Sequence, residues 1–260
     1  MSRPIALVTG ASAGIGGATA RALAAAGWRL LLAARSADRL EALARQLDAD
    51  HGALTARVVP LDVTDADAHA RAIAELPDDW AEVELAVLNA GLALNMVPVW
   101  ENSAAEADGM LDVNVKGVLN GIRSLVPGML ARGRGHVVLL GSTAGHFVYP
   151  GGTVYCASKF AVGAIALGLK QDLHGTPVRV SLVSPGIVET DFSLVRFDGD
   201  AERADAVYAD TNALSAEDVA EAIVWCAMRP ESVNIQEVLM TPRVQSGGTM
   251  IARGADAEGL

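Results

Sequence analysis

Seven short, almost uninterrupted apolar runs punctuate this chain, and they limit its fold more than any other feature of the sequence. They are Ile5 to Thr9, Arg29 to Ala34, Leu54 to Val59, Leu85 to Leu88, His136 to Leu140, Arg179 to Val183 and Ile235 to Met240. The segments between them have helical composition: alanine-rich after Gly16, with Leu40, Leu43 and Leu47 along one face after Ser36, from Asp65 to Leu76, from Ser103 to about Val126, from Tyr155 to about Leu173, and from Ser215 onward. Strands apolar at nearly every position are buried on both faces, and alternation with helices is the signature of a parallel sheet covered on two sides. The expected architecture is a single α/β domain over residues 1–260, doubly wound about a parallel sheet of about seven strands.

In such sheets ligands bind beyond the carboxyl ends of the strands, and the unusual residues of this chain collect there. The first run ends in Gly10-Ala11-Ser12-Ala13-Gly14-Ile15-Gly16, a glycine loop opening a helix. Glycines at this spacing permit a tight turn and close backbone approach, and the exposed N–H groups of the helix start favour a pyrophosphate. The second run ends at Ala34-Arg35, where an acidic residue would bond a ribose 2′-hydroxyl and repel a 2′-phosphate. A guanidinium there suits a phosphate in charge and geometry, which indicates NADP(H). The fourth run enters Asn89-Ala90-Gly91, the fifth delivers Ser142, and the sixth delivers Pro185-Gly186.

Tyr155 and Lys159 stand at i and i+4, on one face of a helix. A cation beside a phenol favours the phenolate, so Tyr155 is a candidate proton donor and acceptor, its pKa expected to be lowered by Lys159. Ser142 supplies a hydroxyl to hold a substrate oxygen. Only three of the twenty basic residues are lysines, and arginine cannot tune a neighbour with the same compact charge. Asn114, slightly unfavourable in mid-helix, is by its position either a tolerated polar residue or a buried amide with a specific partner.

The remaining features narrow the function class. The two cysteines form no Cys-x-x-Cys pair and the five histidines show no ligand spacing, so neither a disulfide framework nor a metal site is expected. A net charge of −11 disfavours nucleic acid and anionic membranes. Without a signal-like start or a long uninterrupted apolar stretch, the expectation is a soluble, cytoplasmic protein. Residues 187–213 break the alternation and carry Phe192, Leu194, Arg196 and Phe197, which suits a lid over a substrate. The glycine-rich tail, residues 241–260, is expected to be partly mobile or lodged against a neighbouring subunit.

Taken together, Thr9-Gly10-x-x-x-Gly14-Ile15-Gly16, Asn89-Ala90-Gly91, Asn114, Ser142, Tyr155-x-x-x-Lys159 and Pro185-Gly186 resemble the short-chain dehydrogenase/reductase family, over nearly the whole chain and in family order. Finer stretches, among them Gly141-Ser142-Thr143-Ala144-Gly145 and Glu189-Thr190-Asp191-Phe192-Ser193-Leu194-Val195-Arg196-Phe197, resemble its NADP-dependent serine/3-hydroxy acid dehydrogenases. The resemblance implies a Rossmann fold, a homotetramer, and hydride transfer between NADP(H) and a small 3-hydroxy acid such as serine or allo-threonine. It implies roles too: Tyr155 as acid and base, Lys159 on the nicotinamide ribose, Asn114 beside a relay water, Asp62 and Val63 at the adenine, Val188 and Thr190 at the nicotinamide amide. Phe147, Phe192 and Arg196 join Ser142 as expected substrate contacts, Arg196 as the carboxylate partner. A reductase of other ketones or aldehydes, or a non-catalytic NADP(H)-binding sensor, are the competing readings.

Overall fold

The computed structural model describes residues 3–254. Its centre is one sheet of seven parallel strands: β1 (Ile5–Thr9), β2 (Arg29–Ala34), β3 (Ala56–Pro60), β4 (Val83–Leu88), β5 (Gly135–Leu140), β6 (Val178–Pro185) and β7 (Glu237–Met240). The strand order is β3-β2-β1-β4-β5-β6-β7, so the chain winds outward from β1 in one direction and then, from β4, in the other. The reversal opens a crevice at the carboxyl ends of β1 and β4.

Period-two geometry sends alternate side chains of each strand to opposite faces. In β1, Ile5 and Leu7 enter one core and Ala6 and Val8 the other. The second core is closed by α1 (Gly14–Ala25) and α2 (Ala37–His51), with the late helix Ala216–Ala227 beside them. The first is closed mainly by α3 (Ala66–Ala74) and by two helices that follow β4 and β5.

The stretch expected to be one helix from Ser103 to about Val126 is three pieces. A capping box, with Ser103 and Glu106 each satisfying the other's backbone N–H, starts α4 (Ala104–Leu111). A π-helical turn over Asp112–Lys116 follows, and α5 (Gly117–Arg132) continues past Pro127 to a left-handed Gly133. After β5 comes α6 (Thr153–Asp172), long and apolar enough by composition to cross a membrane, yet laid against the sheet with Val162 and Ala166 in its core. The expected lid folds into two short helices, α7 (Phe192–Arg196) and α8 (Ala201–Tyr208), before α9 (Ala216–Ala227). Ser36 precedes α2 as expected, but its side chain makes no capping bond.

The tail from 241 to 254 packs on its own chain. The Gln245 side chain is buried and its Oε1 accepts the Ile187 N–H at 2.9 Å, at the start of the expected lid. Arg253 donates to the Val207 carbonyl at 3.0 Å, at the C-terminal end of α8. Residues 255–260 of the expected tail lie outside the described residues.

Candidate active site

A cavity of about 580 Å³ fills the crevice. Its first wall is the glycine loop, with Gly10, Ser12, Gly14 and Ile15 on the surface. Gly10 and Gly14 have φ of +67° and +51°, the left-handed region that glycine enters without strain. The loop is braced from β4: Asn89 Nδ2 donates to the Thr9 carbonyl at 2.8 Å, and Thr9 Oγ1 accepts the Asn89 and Ala90 N–H groups at 2.9 and 3.0 Å. Gly16 is absent from the wall. A β-carbon there would strike the Gly10 carbonyl and Asn89, so this glycine serves close packing of helix on loop. Helix α1 is preceded by Ala13 at its N-cap, with no capping side chain, and has no acidic residue in its first turn. Its N–H groups therefore face the cavity without a protein anion to satisfy them.

At the end of β2 the wall is Ala34, Arg35, Ser36 and Arg39. Arg39 escaped the sequence reading, although its place one turn after Arg35 on α2 was the available signal. Both guanidiniums are exposed, and the nearest wall residue on β2, Ala34, has no charge to oppose an anion. Asp62 and Val63 stand opposite with Thr64, whose N–H and hydroxyl bond the Asp62 carboxylate and hold its pKa below the ordinary value. The donor set fits a dinucleotide with a phosphate on its adenosine ribose: free helix N–H groups in the middle, two arginines at one end, and glycine or alanine wherever the backbone must come close.

The other end of the cavity is lined by Asn89, Ala90, Gly91, Ser142, Tyr155, Lys159, Pro185, Gly186, Val188, Thr190 and Phe192. Asn114 sits behind Gly91 on the π-helical turn, its side chain buried. It accepts the Leu92 N–H at 2.8 Å and donates to the Leu92 carbonyl at 2.8 Å and to Ser158 Oγ at 2.9 Å. A β-carbon on Gly91 would lie 3.2 Å from Asn114 Oδ1 and 3.5 Å from Lys159 Nζ, so Gly91 leaves the room between them.

The electrostatics of Tyr155 differ from the expectation. Burial pushes its phenol up to about 12; the Arg196 guanidinium pulls it down, Tyr149 raises it, and the Ser142 hydroxyl lowers it. Lys159, expected to perform that lowering, is turned away. Its ammonium donates to the Leu140 carbonyl at 2.9 Å, stands 5.9 Å from the centre of the Tyr155 ring, and is itself pushed down to about 8 by burial. The i, i+4 spacing places both side chains on one face, but β5 captures the ammonium.

Two expected substrate residues also change place. Phe147 is absent from the cavity wall; it is half-exposed and its Cβ packs beside Gly248 of the tail. Arg196 is half-buried and does not line this cavity, although its neighbours Phe192 and Val195 do; its guanidinium carbon is 5.1 Å from the Tyr155 ring centre and 5.5 Å from that of Phe192. Tyr149, which no pattern in the sequence marked, accepts a hydrogen bond from Arg196 Nη2 at 3.2 Å.

Comparison with known proteins agrees with this geometry. The family described as short chain dehydrogenase matches residues 4–200. The chain belongs to that family. It is 44% identical over 243 residues to the NADP-dependent 3-hydroxy acid dehydrogenase YdfG of Salmonella typhi, covering 93% of this chain and 96% of that protein. It is 41% identical over 241 residues to the serine 3-dehydrogenase of Agrobacterium fabrum, covering 92% and 94%. Among solved structures, the closed form of a serine dehydrogenase complexed with NADP+ superposes with a TM-score of 0.91 at 40% identity, over 96% of this chain and all of that one. The family membership makes the chain an oxidoreductase, and the Rossmann sheet with its strand order is the family's scaffold.

Proposed function

We propose that this short-chain dehydrogenase is NADP(H)-dependent and interconverts small 3-hydroxy acids, such as serine or allo-threonine, with their keto forms. The observation that carries the reading is the pairing, along one cavity, of two arginines at the adenosine end with Tyr155, Ser142 and Lys159 at the other, and a guanidinium standing over the tyrosine ring. Relatives with those named activities, at 41–44% identity over nearly their full length, support it.

In this reading the glycine loop and the start of α1 hold the pyrophosphate, and Arg35 and Arg39 the 2′-phosphate. Asp62 and Val63 flank the adenine. Asn89, Ala90 and Gly91, with Pro185, Gly186, Val188 and Thr190, enclose the nicotinamide half, and Lys159 reaches its ribose. The bound dinucleotide supplies the hydride chemistry. The protein supplies the proton path and the orientation. Ser142 holds the substrate oxygen while Tyr155 removes the hydroxyl proton in oxidation and returns it in reduction. Asn114 has both amide hydrogens committed to protein groups and its Oδ1 already accepts the Leu92 N–H, so the second lone pair of Oδ1 is what the side chain can offer to a relay water. Arg196, on the short lid of residues 187–213, receives the carboxylate. Cys156 and Cys226 are free and buried, which suits the reducing cytoplasm. Apolar side chains left exposed on α6 (Phe160, Leu167) and on α9 and β7 (Trp225, Leu239) suit assembly into a homotetramer.

Turnover of a panel of 3-hydroxy acids, neutral alcohols and ketones, with NADP+ and NADPH, tests the substrate class. Activity confined to neutral carbonyls would make the protein a ketone or aldehyde reductase instead. Tyr155→Phe should lower kcat by at least ~10²-fold while NADPH still binds, because only the titratable oxygen is lost. Turnover within about tenfold of wild type would remove Tyr155 from the proton path.

A further inference from the structure

We propose that Tyr149 is a positioning residue: its hydroxyl fixes the Arg196 guanidinium where a substrate carboxylate is received, one ring away from the group that moves the proton. The inference rests on the 3-hydroxy acid reading given above and assigns a residue that neither the sequence pattern nor the cavity wall marks.

Three contacts hold the arrangement. The ring of Tyr149 lies against Gly152 at the start of α6, so closely that a β-carbon on that glycine would strike the ring, and the Gly152 N–H bonds the Tyr149 carbonyl at 3.1 Å. This fixes the direction of the hydroxyl. From the other side the Asn95 N–H donates to the Arg196 carbonyl at 2.8 Å and ties the end of α7 to the loop after β4. Between the two anchors the Arg196 side chain crosses the faces of Phe192 and Tyr155, and Nη2 donates to Tyr149 Oη at 3.2 Å.

The donor count shows that the guanidinium is held and still has capacity. A guanidinium carries five N–H donors and no acceptor. One is used by Tyr149, and Nε is buried with no partner among the described residues. An unsatisfied charged donor in an apolar pocket is costly, and an incoming carboxylate removes that cost by bidentate pairing. Tyr149 is suited to the task because burial pushes its pKa up, so the hydroxyl stays neutral and accepts without neutralising the arginine. A lone arginine on a five-residue helix would otherwise sample many rotamers, and the ordering would have to be supplied by each substrate on binding.

The experiment compares wild type, Tyr149→Phe, Arg196→Ala and the double variant; phenylalanine keeps the ring against Gly152 and removes only the hydroxyl. Two quantities are read: the Kd of butanoate, an unreactive carboxylate, for the NADPH complex by calorimetry, and the kcat/KM ratio of 3-hydroxybutanoate to butan-2-ol. Tyr149→Phe should weaken butanoate about tenfold, the order expected for one hydrogen bond to a charged group, and lower the ratio to a similar degree through KM. Arg196→Ala should do more, and the double variant should resemble Arg196→Ala alone. If Arg196→Ala erases the preference while Tyr149→Phe stays within about twofold of wild type, or if the two losses multiply in the double variant, the positioning role is overturned. If Arg196→Ala changes neither quantity, the carboxylate assignment of Arg196 falls and the role of Tyr149 with it. A wild type without preference for 3-hydroxybutanoate points instead to an error in the substrate class.

Discussion

At the scale of single residues, the proposed cofactor choice rests on one small side chain and two cations. Ala34 leaves the end of β2 without a carboxylate, and Arg35 and Arg39 bring charge to the same wall. A hydrogen bond to a charged group contributes ~1.5–3 kcal/mol, which corresponds to roughly 10- to 150-fold in affinity. NADP(H) should be preferred over NAD(H) by at least that range, less at high salt because both arginines are exposed. Ala34→Asp with Arg35→Ala should shift the kcat/KM ratio toward NAD(H), with Arg39 retaining part of the original preference. An unchanged ratio would assign the 2′-phosphate to other groups. A second residue, His136, is expected to contribute to acid sensitivity. His136 is buried in β5 with Nε2 2.9 Å from Ser181 Oγ and Nδ1 unpartnered, and burial, then Arg179, push its pKa down to about 3. Between about pH 6.5 and 3 the unfolded chain takes up a proton that the native state refuses, so the contribution is full above that window and lost as pH falls through it. The loss is at most about 1.4 kcal/mol per pH unit. His136→Asn should flatten the fall of Tm between pH 6.5 and 4; parallel curves would place the sensitivity elsewhere, as at His69, which burial also depresses.

At the scale of elements, the sheet was legible because doubly buried strands must be apolar throughout, and such runs are hard to mistake. The site was legible where chemistry sits at strand ends: the glycine loop, Asn89 to Gly91, Ser142 and the Tyr155–Lys159 face all reach one cavity. What escaped depends on contacts between elements distant in sequence. Nothing local breaks the helix at Asp112; the π-helical turn is bridged through Asn114 to the loop at Leu92 and to Ser158 of α6. The partner of Lys159 is a β5 carbonyl, which helical spacing cannot reveal. Phe147 follows Ser142 closely in sequence, yet the short 3₁₀ turn at Thr143–Gly145 intervenes and its side chain lies beside the tail. Tyr149 carries no motif at all, being one loop tyrosine whose meaning is set by an arginine 47 residues away.

At the scale of the molecule, apolar surface left uncovered suggests how copies meet. Trp225 on α9, Met228 just after it and Leu239 on the edge strand β7 are about half exposed, and Phe160 and Leu167 likewise on α6. Light scattering at micromolar concentration should report a homotetramer; a monomer would contradict the assembly proposed from these faces. The parallel winding carries a further consequence, one of timing. Synthesis proceeds from the N-terminus, so the glycine loop is among the first parts of the site to leave the ribosome, and Tyr155 follows it. The outermost strand β7 comes late, and later still come Gln245, which pins Ile187, and Arg253, which holds the end of α8. A growing chain therefore possesses its glycine loop and Tyr155 before it can fasten the segment from Ile187 to Tyr208 beside them, and on the proposed function the substrate pocket is the last part of the enzyme to be born.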